Sequence, residues 1–181
     1  LSPVGPYYPE GFNPVNIVVS DQYVRATPGG VGEAKTAGNY AACNLAEKQA
    51  QAQGFTQVLW LDAVERKYIE EVGSMNIFFV IDDEIVTPQL NGTILPGITR
   101  KSVLELASHW DLKTSERRIS IDEVLEGLES GRVSEVFGAG TAAVISPVGL
   151  LHYRGQSSQV GDGQTGPVAK RFFEHLTAIQ Y

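Results

Sequence analysis

An apolar stretch at residues 76–87 constrains the fold of this chain more than any other segment. It runs Asn76-Ile-Phe-Phe-Val-Ile-Asp-Asp-Glu-Ile-Val-Thr87, with a short acidic centre. β-Branched and aromatic residues on both sides of such a centre predict a hairpin that turns at Asp82 and Asp83. By the same criteria, further extended segments are predicted at 15–19, 22–26, 58–62, 68–72, 113–120 and 135–148, the last interrupted by a small-residue loop that starts at 138–140.

The remaining periodic segments predict helices at 40–52, 100–110, 121–129 and 167–179. Asn39 occupies the N-cap position of the first helix, and Ser120 with Glu123 forms a capping box for the third. Strands outnumber helices and follow one another directly, which disfavours a doubly wound parallel sheet. We therefore predict an α/β fold with a mixed, barrel-like β-sheet and helices around it.

Composition limits the domain organisation and the possible partners. The chain has 181 residues, 43% of them apolar, which suits a single domain over 1–181. A net charge of −7 argues against a nucleic-acid partner, and no apolar run approaches the roughly 20 residues of a membrane helix. Cys43 is the only cysteine and is interpreted as a packed residue in a cytoplasmic protein. The opening Leu1-Ser-Pro-Val-Gly-Pro-Tyr lacks an initiator Met and suggests a fragment.

A glycine-rich loop at residues 27–39 contains the first candidate for chemistry, Lys35. Gly29 to Thr36 spells Gly-Gly-Val-Gly-Glu-Ala-Lys-Thr, one residue away from the phosphate loop of nucleotide hydrolases. Ala34 stands where that loop needs a glycine, and the helix is expected to start only at Tyr40. Both points argue against a nucleotide site. His109, His152 and His175 lack ligand spacing, so no metal site is predicted.

Pyridoxal chemistry needs a lysine amine, a carboxylate beside the pyridine nitrogen, a donor to the ring hydroxyl and donors to a phosphate. Lys35, Glu71 and Tyr40 are candidates for the first three of these groups. Two small-residue loops, at 97–99 and 138–142, could bind the phosphate. Taken singly, each candidate has an ordinary alternative: a solvated lysine, an exposed glutamate, a core-edge tyrosine or a plain turn.

Four motifs occur together: Lys35-Thr-Ala-Gly-Asn-Tyr40, Glu71-Val-Gly-Ser-Met-Asn76, Leu95-Pro-Gly-Ile-Thr-Arg100 and Phe137-Gly-Ala-Gly-Thr-Ala142. Their identity and order resemble those of the branched-chain aminotransferases, which are fold-type IV pyridoxal-phosphate enzymes. The likeness extends over essentially the whole chain. It implies the large, cofactor-binding domain of such an enzyme, without the N-terminal small domain.

The resemblance also implies roles for particular residues. Lys35 would hold pyridoxal 5'-phosphate as a Schiff base and move the substrate proton. Glu71 would pair with the pyridine nitrogen and Tyr40 with the ring oxygen, while Arg25 would lie close to the ring. Ile98, Thr99 and Thr141 would bind the phosphate, and Ala142 and Ser74 would contact the substrate.

The implied reaction transfers the amino group of leucine, isoleucine or valine to 2-oxoglutarate in a cytoplasmic homodimer. Some relatives carry a redox-active Cys-x-x-Cys pair, but its places are Ala143 and Ser146 here, so that regulation should be absent. Two alternatives stay open. The chain could belong to a fold-type IV sibling, a D-amino-acid transaminase or an aminodeoxychorismate lyase, or it could be a catalytically inert truncated module.

Overall fold

The computed structural model describes residues 12–180, which form one nine-stranded sheet and the helices packed against it. The expected entry segment at 1–14 and the terminal Tyr181 lie almost entirely outside these residues. The strands are β1 (Val15–Ser20), β2 (Gln57–Leu61), β3 (Ile69–Val72), β4 (Met75–Ile81), β5 (Glu84–Pro88), β6 (Thr114–Arg117), β7 (Val133–Gly140), β8 (Val144–Tyr153) and β9 (Gln156–Gln159). The helices are α1 (Ala37–Ala52), α2 (Ile98–His109), α3 (Ile121–Glu129) and α4 (Pro167–Gln180). None of these described helices is long and apolar enough to cross a membrane.

The sheet closes on itself as a barrel. Its strands follow the order β3-β2-β1-β8-β7-β4, and β4 pairs again with β3. The β1–β2 and β1–β8 pairs are parallel, and the other pairs around the barrel are antiparallel. The predicted α/β fold with a mixed, barrel-like sheet is confirmed.

Strand β4 shows why the apolar stretch at 76–87 is continuous rather than alternating. Ile77, Phe79 and Ile81 belong to a cluster to which every barrel strand contributes, so they face the barrel interior. The intervening Phe78 and Val80 pack with residues of α2 and α4 outside the barrel. A strand that is covered on both faces needs apolar side chains at every position.

Helix α3 begins as its sequence predicts. The Ser120 Oγ accepts a hydrogen bond of 3.0 Å from the backbone N–H of Glu123, which satisfies one free donor of the first turn. Ile121 and Val124 on this helix join the barrel-interior cluster. The apolar face of α3 is therefore buried against the same core as the strands.

Three local predictions are wrong. Helix α1 begins at Ala37, and Asn39 lies inside it, where its Nδ2 donates to the carbonyls of Val31 and Ala34 at 2.8 and 2.7 Å. The side chain that was expected to cap the helix thus holds the preceding loop. Residues 22–26 form no strand, because the Ser20 Oγ and Tyr23 backbone form a turn there. Residues 138–140, expected as a loop, belong to β7.

A buried carboxylate organises the connection from β2 to β3. Asp62 accepts hydrogen bonds from four backbone N–H groups, those of Val64, Glu65, Lys67 and Tyr68, at 2.7–3.1 Å. Burial raises the pKa of Asp62, but these donors outweigh that effect and lower it below its usual 3.8. The ionised carboxylate is the form that the loop requires.

We predict that Asp62→Asn lowers the free energy of unfolding by about 1–3 kcal/mol, because an amide nitrogen would then face backbone donors. The contribution of the wild-type carboxylate is present above pH 3.8 and is lost as the pH falls through the lowered pKa of the folded state. Urea denaturation at neutral and acidic pH measures both effects. The control is Asp83→Asn at the exposed hairpin turn, where Asn tolerates the positive φ of 62°. Equal stability of the two variants at neutral pH would contradict the prediction.

Candidate active site

A cavity of about 620 Å³ opens where the start of α2, the turn after β7 and the loop before α1 meet. Most of the residues predicted from sequence line it: Lys35, Tyr40, Ser74, Ile98, Thr99, Thr141 and Ala142. Arg25 and Glu71 line a smaller adjoining cavity of about 130 Å³, which shares Tyr40, Ser74 and Leu95 with the larger one. The fold therefore brings all of the predicted site residues to two neighbouring cavities.

The start of α2 presents backbone N–H groups to the larger cavity. Gly97 is the N-cap in an extended conformation, and no side chain caps the helix. The N–H groups of the first helical turn, including those of Ile98 and Thr99, have no partner within the helix. They and the helix dipole make this end of the cavity suitable for an anion.

A neighbouring side chain requires a glycine at position 97. The Asn76 Nδ2 donates a hydrogen bond of 2.8 Å to the carbonyl of Leu95, and a Cβ at Gly97 would overlap the Asn76 Oδ1. Asn76 is buried and comes from β4. It thus fixes the turn from which α2 starts.

The glycines of β7 make room for a side chain rather than for a ligand. A Cβ at Gly138 would lie 2.7 Å from the Met75 Cε, and one at Gly140 would lie 3.0 Å from the Met75 Cγ. Met75 lies across this strand and lines the larger cavity. The turn that carries Thr141 and Ala142 follows directly, so the close packing of Met75 positions it.

Glu71 is buried, not exposed, and has two partners. Its Oε2 lies 2.8 Å from the Nε of Arg25, and its Oε1 accepts a hydrogen bond of 2.7 Å from the backbone N–H of Leu95. Burial raises the pKa of Glu71 to about 7, although Arg25 and the Leu95 N–H both act to lower it. The site thus contains a carboxyl that titrates near neutral pH.

Arg25 joins three segments of the site. In addition to Glu71, its guanidinium donates to the carbonyl of Thr93 at 2.7 Å and to that of Gly32 at 3.1 Å. Gly32 belongs to the loop that carries Lys35, and Thr93 to the loop that leads into α2. Removal of Arg25 would therefore loosen both loops and leave Glu71 without its cation.

Sequence reasoning assigned no role to Asn76 or Leu95. Both stand inside quoted motifs, but their function depends on contact between β4 and a loop about twenty positions later. Nothing local in the sequence indicates that contact.

Among residues 12–180, no group of His, Cys, Asp and Glu side chains is arranged to hold a metal ion.

The sequence model of the amino-transferase class IV family matches residues 3–151. The chain belongs to that family. This membership decides against the nucleotide-hydrolase alternative. The late helix start, one of the two points raised against that alternative, is wrong, because α1 begins two residues after Lys35.

Curated relatives of this chain share a common description. Branched-chain-amino-acid aminotransferase 2 of Bacillus subtilis is 57% identical over 180 residues, which are 99% of this chain and 50% of that protein. A branched-chain-amino-acid aminotransferase of Mycobacterium tuberculosis is 50% identical over 183 residues, again 99% of this chain and 50% of the relative. The chain thus spans about half the length of the curated relatives that it matches.

Solved structures agree with this assignment. The branched-chain amino acid aminotransferase of Escherichia coli superposes with a TM-score of 0.84 at 33% identity, over 98% of this chain and 55% of that one. The branched-chain aminotransferase of Thermoproteus uzoniensis with norvaline gives 0.80 at 28% identity, over 98% of this chain and 54% of the other. A further branched-chain amino acid aminotransferase, complexed with N-(5'-phosphopyridoxyl)-L-glutamate, superposes with a TM-score of 0.75 at 32% identity, over 91% of this chain and 51% of that one. The barrel seen here is therefore the fold of these aminotransferases.

We predict that Arg25→Met raises the pKa of Glu71 by about one unit or more, because the cation that favours the ionised carboxyl is lost. Infrared titration of the carboxyl band in full-length protein measures the shift, and the band is identified by its absence in Glu71→Gln. Arg154→Met, which removes a mostly exposed guanidinium 3.7 Å from Asp21, is the matched control. An unchanged pKa in Arg25→Met would show that the ion pair has no influence on Glu71.

Proposed function

We propose that the chain is the cofactor-binding domain of a pyridoxal-phosphate-dependent transaminase that acts on leucine, isoleucine and valine with 2-oxoglutarate. The observation that carries this proposal is the placement of Lys35, the α2 amides and the buried Glu71 around two joined cavities. The names of the relatives that match 99% of the chain support the substrate class.

The donor set fits pyridoxal 5'-phosphate. The Ile98 and Thr99 amides and the Thr141 hydroxyl supply neutral donors for a phosphate dianion, and no carboxylate opposes them among the described residues that line this cavity. Glu71 lines the adjoining cavity, which shares Tyr40, Ser74 and Leu95 with this one, and in that position it suits a pyridine nitrogen. Its partner Arg25 is the remaining charged residue assigned to the cofactor. The structural neighbour that is complexed with a phosphopyridoxyl compound supports the same cofactor.

When bound, pyridoxal phosphate supplies an electron sink for the carbanion at the substrate Cα. Lys35 would provide the amine that binds the cofactor and afterwards move the proton at the substrate Cα. Glu71 would hold a proton at the ring nitrogen, aided by its burial. Tyr40 would donate its hydroxyl hydrogen to the ring oxygen and so orient the ring.

The same cavity suits an aliphatic amino acid. Met75, Leu95 and Ile98 supply apolar surface, while Ser74 and Ala142 lie beside it for the substrate. The neighbour from Thermoproteus uzoniensis, solved with norvaline, supports an aliphatic substrate. The proposed compartment is the cytoplasm, where free amino acids and 2-oxo acids are exchanged.

The proposed assembly is a homodimer. Two apolar side chains, Leu90 and Ile98, are exposed in the single chain and line one groove beside the start of α2, and Ile98 also lines the larger cavity. Exposed apolar residues grouped in this way favour a protein interface. A second subunit would cover them and help to enclose the substrate.

We predict that borohydride reduction of full-length protein with pyridoxal phosphate places the adduct on Lys35, as mapped by mass spectrometry of the digested protein. Lys35→Ala should lose the adduct and lower kcat by about 10²–10⁴-fold, the usual contribution of a positioned proton carrier. Lys48→Ala, on the exposed face of α1, should retain both the adduct on Lys35 and the wild-type kcat. Adducts spread over Lys48, Lys67 and other lysines would contradict a formed site and leave the chain an inert module.

A substrate comparison separates this proposal from its fold-type IV siblings. We predict a kcat/KM for L-leucine with 2-oxoglutarate at least about a hundredfold above that for D-alanine, because each added carbon of the side chain contributes apolar contact. Coupled-assay kinetics on full-length protein measure the ratio. Preference for D-alanine would indicate a D-amino-acid transaminase, and release of pyruvate from aminodeoxychorismate would indicate the lyase.

A further inference from the structure

The smaller cavity, called here the side cavity, leads from Glu71 toward the outside of α1. It is lined by Arg25 and Glu71 at one end and by Cys43, Asn44 and Glu47 of α1. Glu71 is 2% exposed, whereas Glu47 is half-buried. The side cavity thus extends from a buried carboxyl to one that reaches solvent.

The lining of the side cavity suits water. Arg25, Asn39, Asn44, Glu47 and Glu71 contribute polar side chains to it. A polar cavity that is large enough ordinarily holds water. The cavity volume of about 130 Å³ is several times the roughly 30 Å³ share of one water molecule.

Of the described titratable groups around Glu71, one is suited to exchange protons along the side cavity. Arg25 is committed to three acceptors, and Glu70 is buried with its Oε1 bonded to Thr93. Burial, with the charges of Glu47 and Glu71, raises the pKa of Cys43 to about 11, so its thiol stays protonated. Tyr40 belongs to the wall shared with the larger cavity. Glu47 remains the titratable group between the side cavity and solvent.

We propose that the side cavity is a hydrated path by which Glu71 exchanges protons with solvent through Glu47, without use of the substrate cavity. A proton leaves the Glu71 carboxyl for a cavity water, a proton of the water chain passes to the Glu47 carboxylate, and Glu47 releases it to bulk water. No oxidation or reduction takes place. The inference rests on the proposed function, in which Glu71 holds a proton at the ring nitrogen, and it explains how that proton equilibrates while substrate closes the other cavity.

The test is a pH jump on the full-length holoenzyme, in which the cofactor occupies the larger cavity, followed by the infrared carboxyl band that Glu71→Gln lacks. A jump across pH 7 suits the pKa of about 7. Glu47→Gln should slow the change of this band by at least about tenfold, less than the 10²–10⁴-fold of a positioned acid–base group in a catalysed step, because water can take over part of the transfer. Glu129→Gln on the exposed side of α3 makes the same charge change away from the cavity and should leave the rate unaltered.

A high-resolution crystal structure of the holoenzyme should show ordered water in the side cavity between Glu71 and Glu47. A dry cavity or an unaltered rate in Glu47→Gln would each overturn the path. Circular dichroism confirms that the variants fold. Because no outcome depends on transamination, failure of the path is distinguishable from failure of the proposed function, which the Lys35 adduct decides.

Discussion

The antiparallel pairing of β3 with β4 closes the barrel, and the site depends on it. The two strands are joined by the tight turn at Gly73 and Ser74, and their register places Glu71 opposite Asn76. Both side chains then bind one residue of a distant loop: Glu71 accepts from the N–H of Leu95, and Asn76 donates to its carbonyl. The N–H and the carbonyl of Leu95 are thus both hydrogen-bonded, and together they hold the turn before α2. Without closure of the barrel, neither the carboxylate nor the helix start would have a defined position.

Stability alone does not explain the buried charged residues around this turn. Replacement of buried ion pairs by apolar residues is often neutral or stabilising, because desolvation offsets most of the attraction. Arg25 and Glu71 are both almost fully buried, and Glu70 beside them has an oxygen without a hydrogen-bond partner among the described residues. Such an arrangement is costly for a barrel that already has a continuous apolar core. Its presence is understandable if the carboxyl must keep a tunable proton close to a ligand.

Sequence reasoning succeeded where the signal is local or where burial is complete. The Ser120 side chain caps α3 through Glu123, which is only three residues along the chain. Burial of β4 on both faces gives an apolar run at 77–81, which can be recognised from the sequence of that strand alone. It failed where a side chain serves a distant or unexpected segment. Asn39 has the chemistry of an N-cap but binds carbonyls of the loop before it. The β7 glycines suggest a loop, but they make room for Met75, a contact that only the strand register reveals.

The candidate site shows the same division. The motifs around Lys35 and Glu71 carry a family resemblance that was sufficient to find the residues lining the cavities. They do not indicate that Arg25 ties the lysine loop to the loop before α2, since its partners there are backbone carbonyls of Gly32 and Thr93. Backbone acceptors have no residue type, so a pattern of side chains cannot predict them.

The double attachment of Leu95 has a thermodynamic consequence. One peptide segment connects the carboxyl in the side cavity with the free amides at the start of α2, so the two ends of the site are not independent. An anion that orders the amides also favours the geometry in which Leu95 donates to Glu71, and that hydrogen bond favours the ionised carboxyl. Linkage makes the coupling reciprocal: the charge state of Glu71 alters the affinity for the anion by the same factor. A ligand with a phosphate at one end and a basic nitrogen at the other would therefore bind more tightly than the sum of its halves.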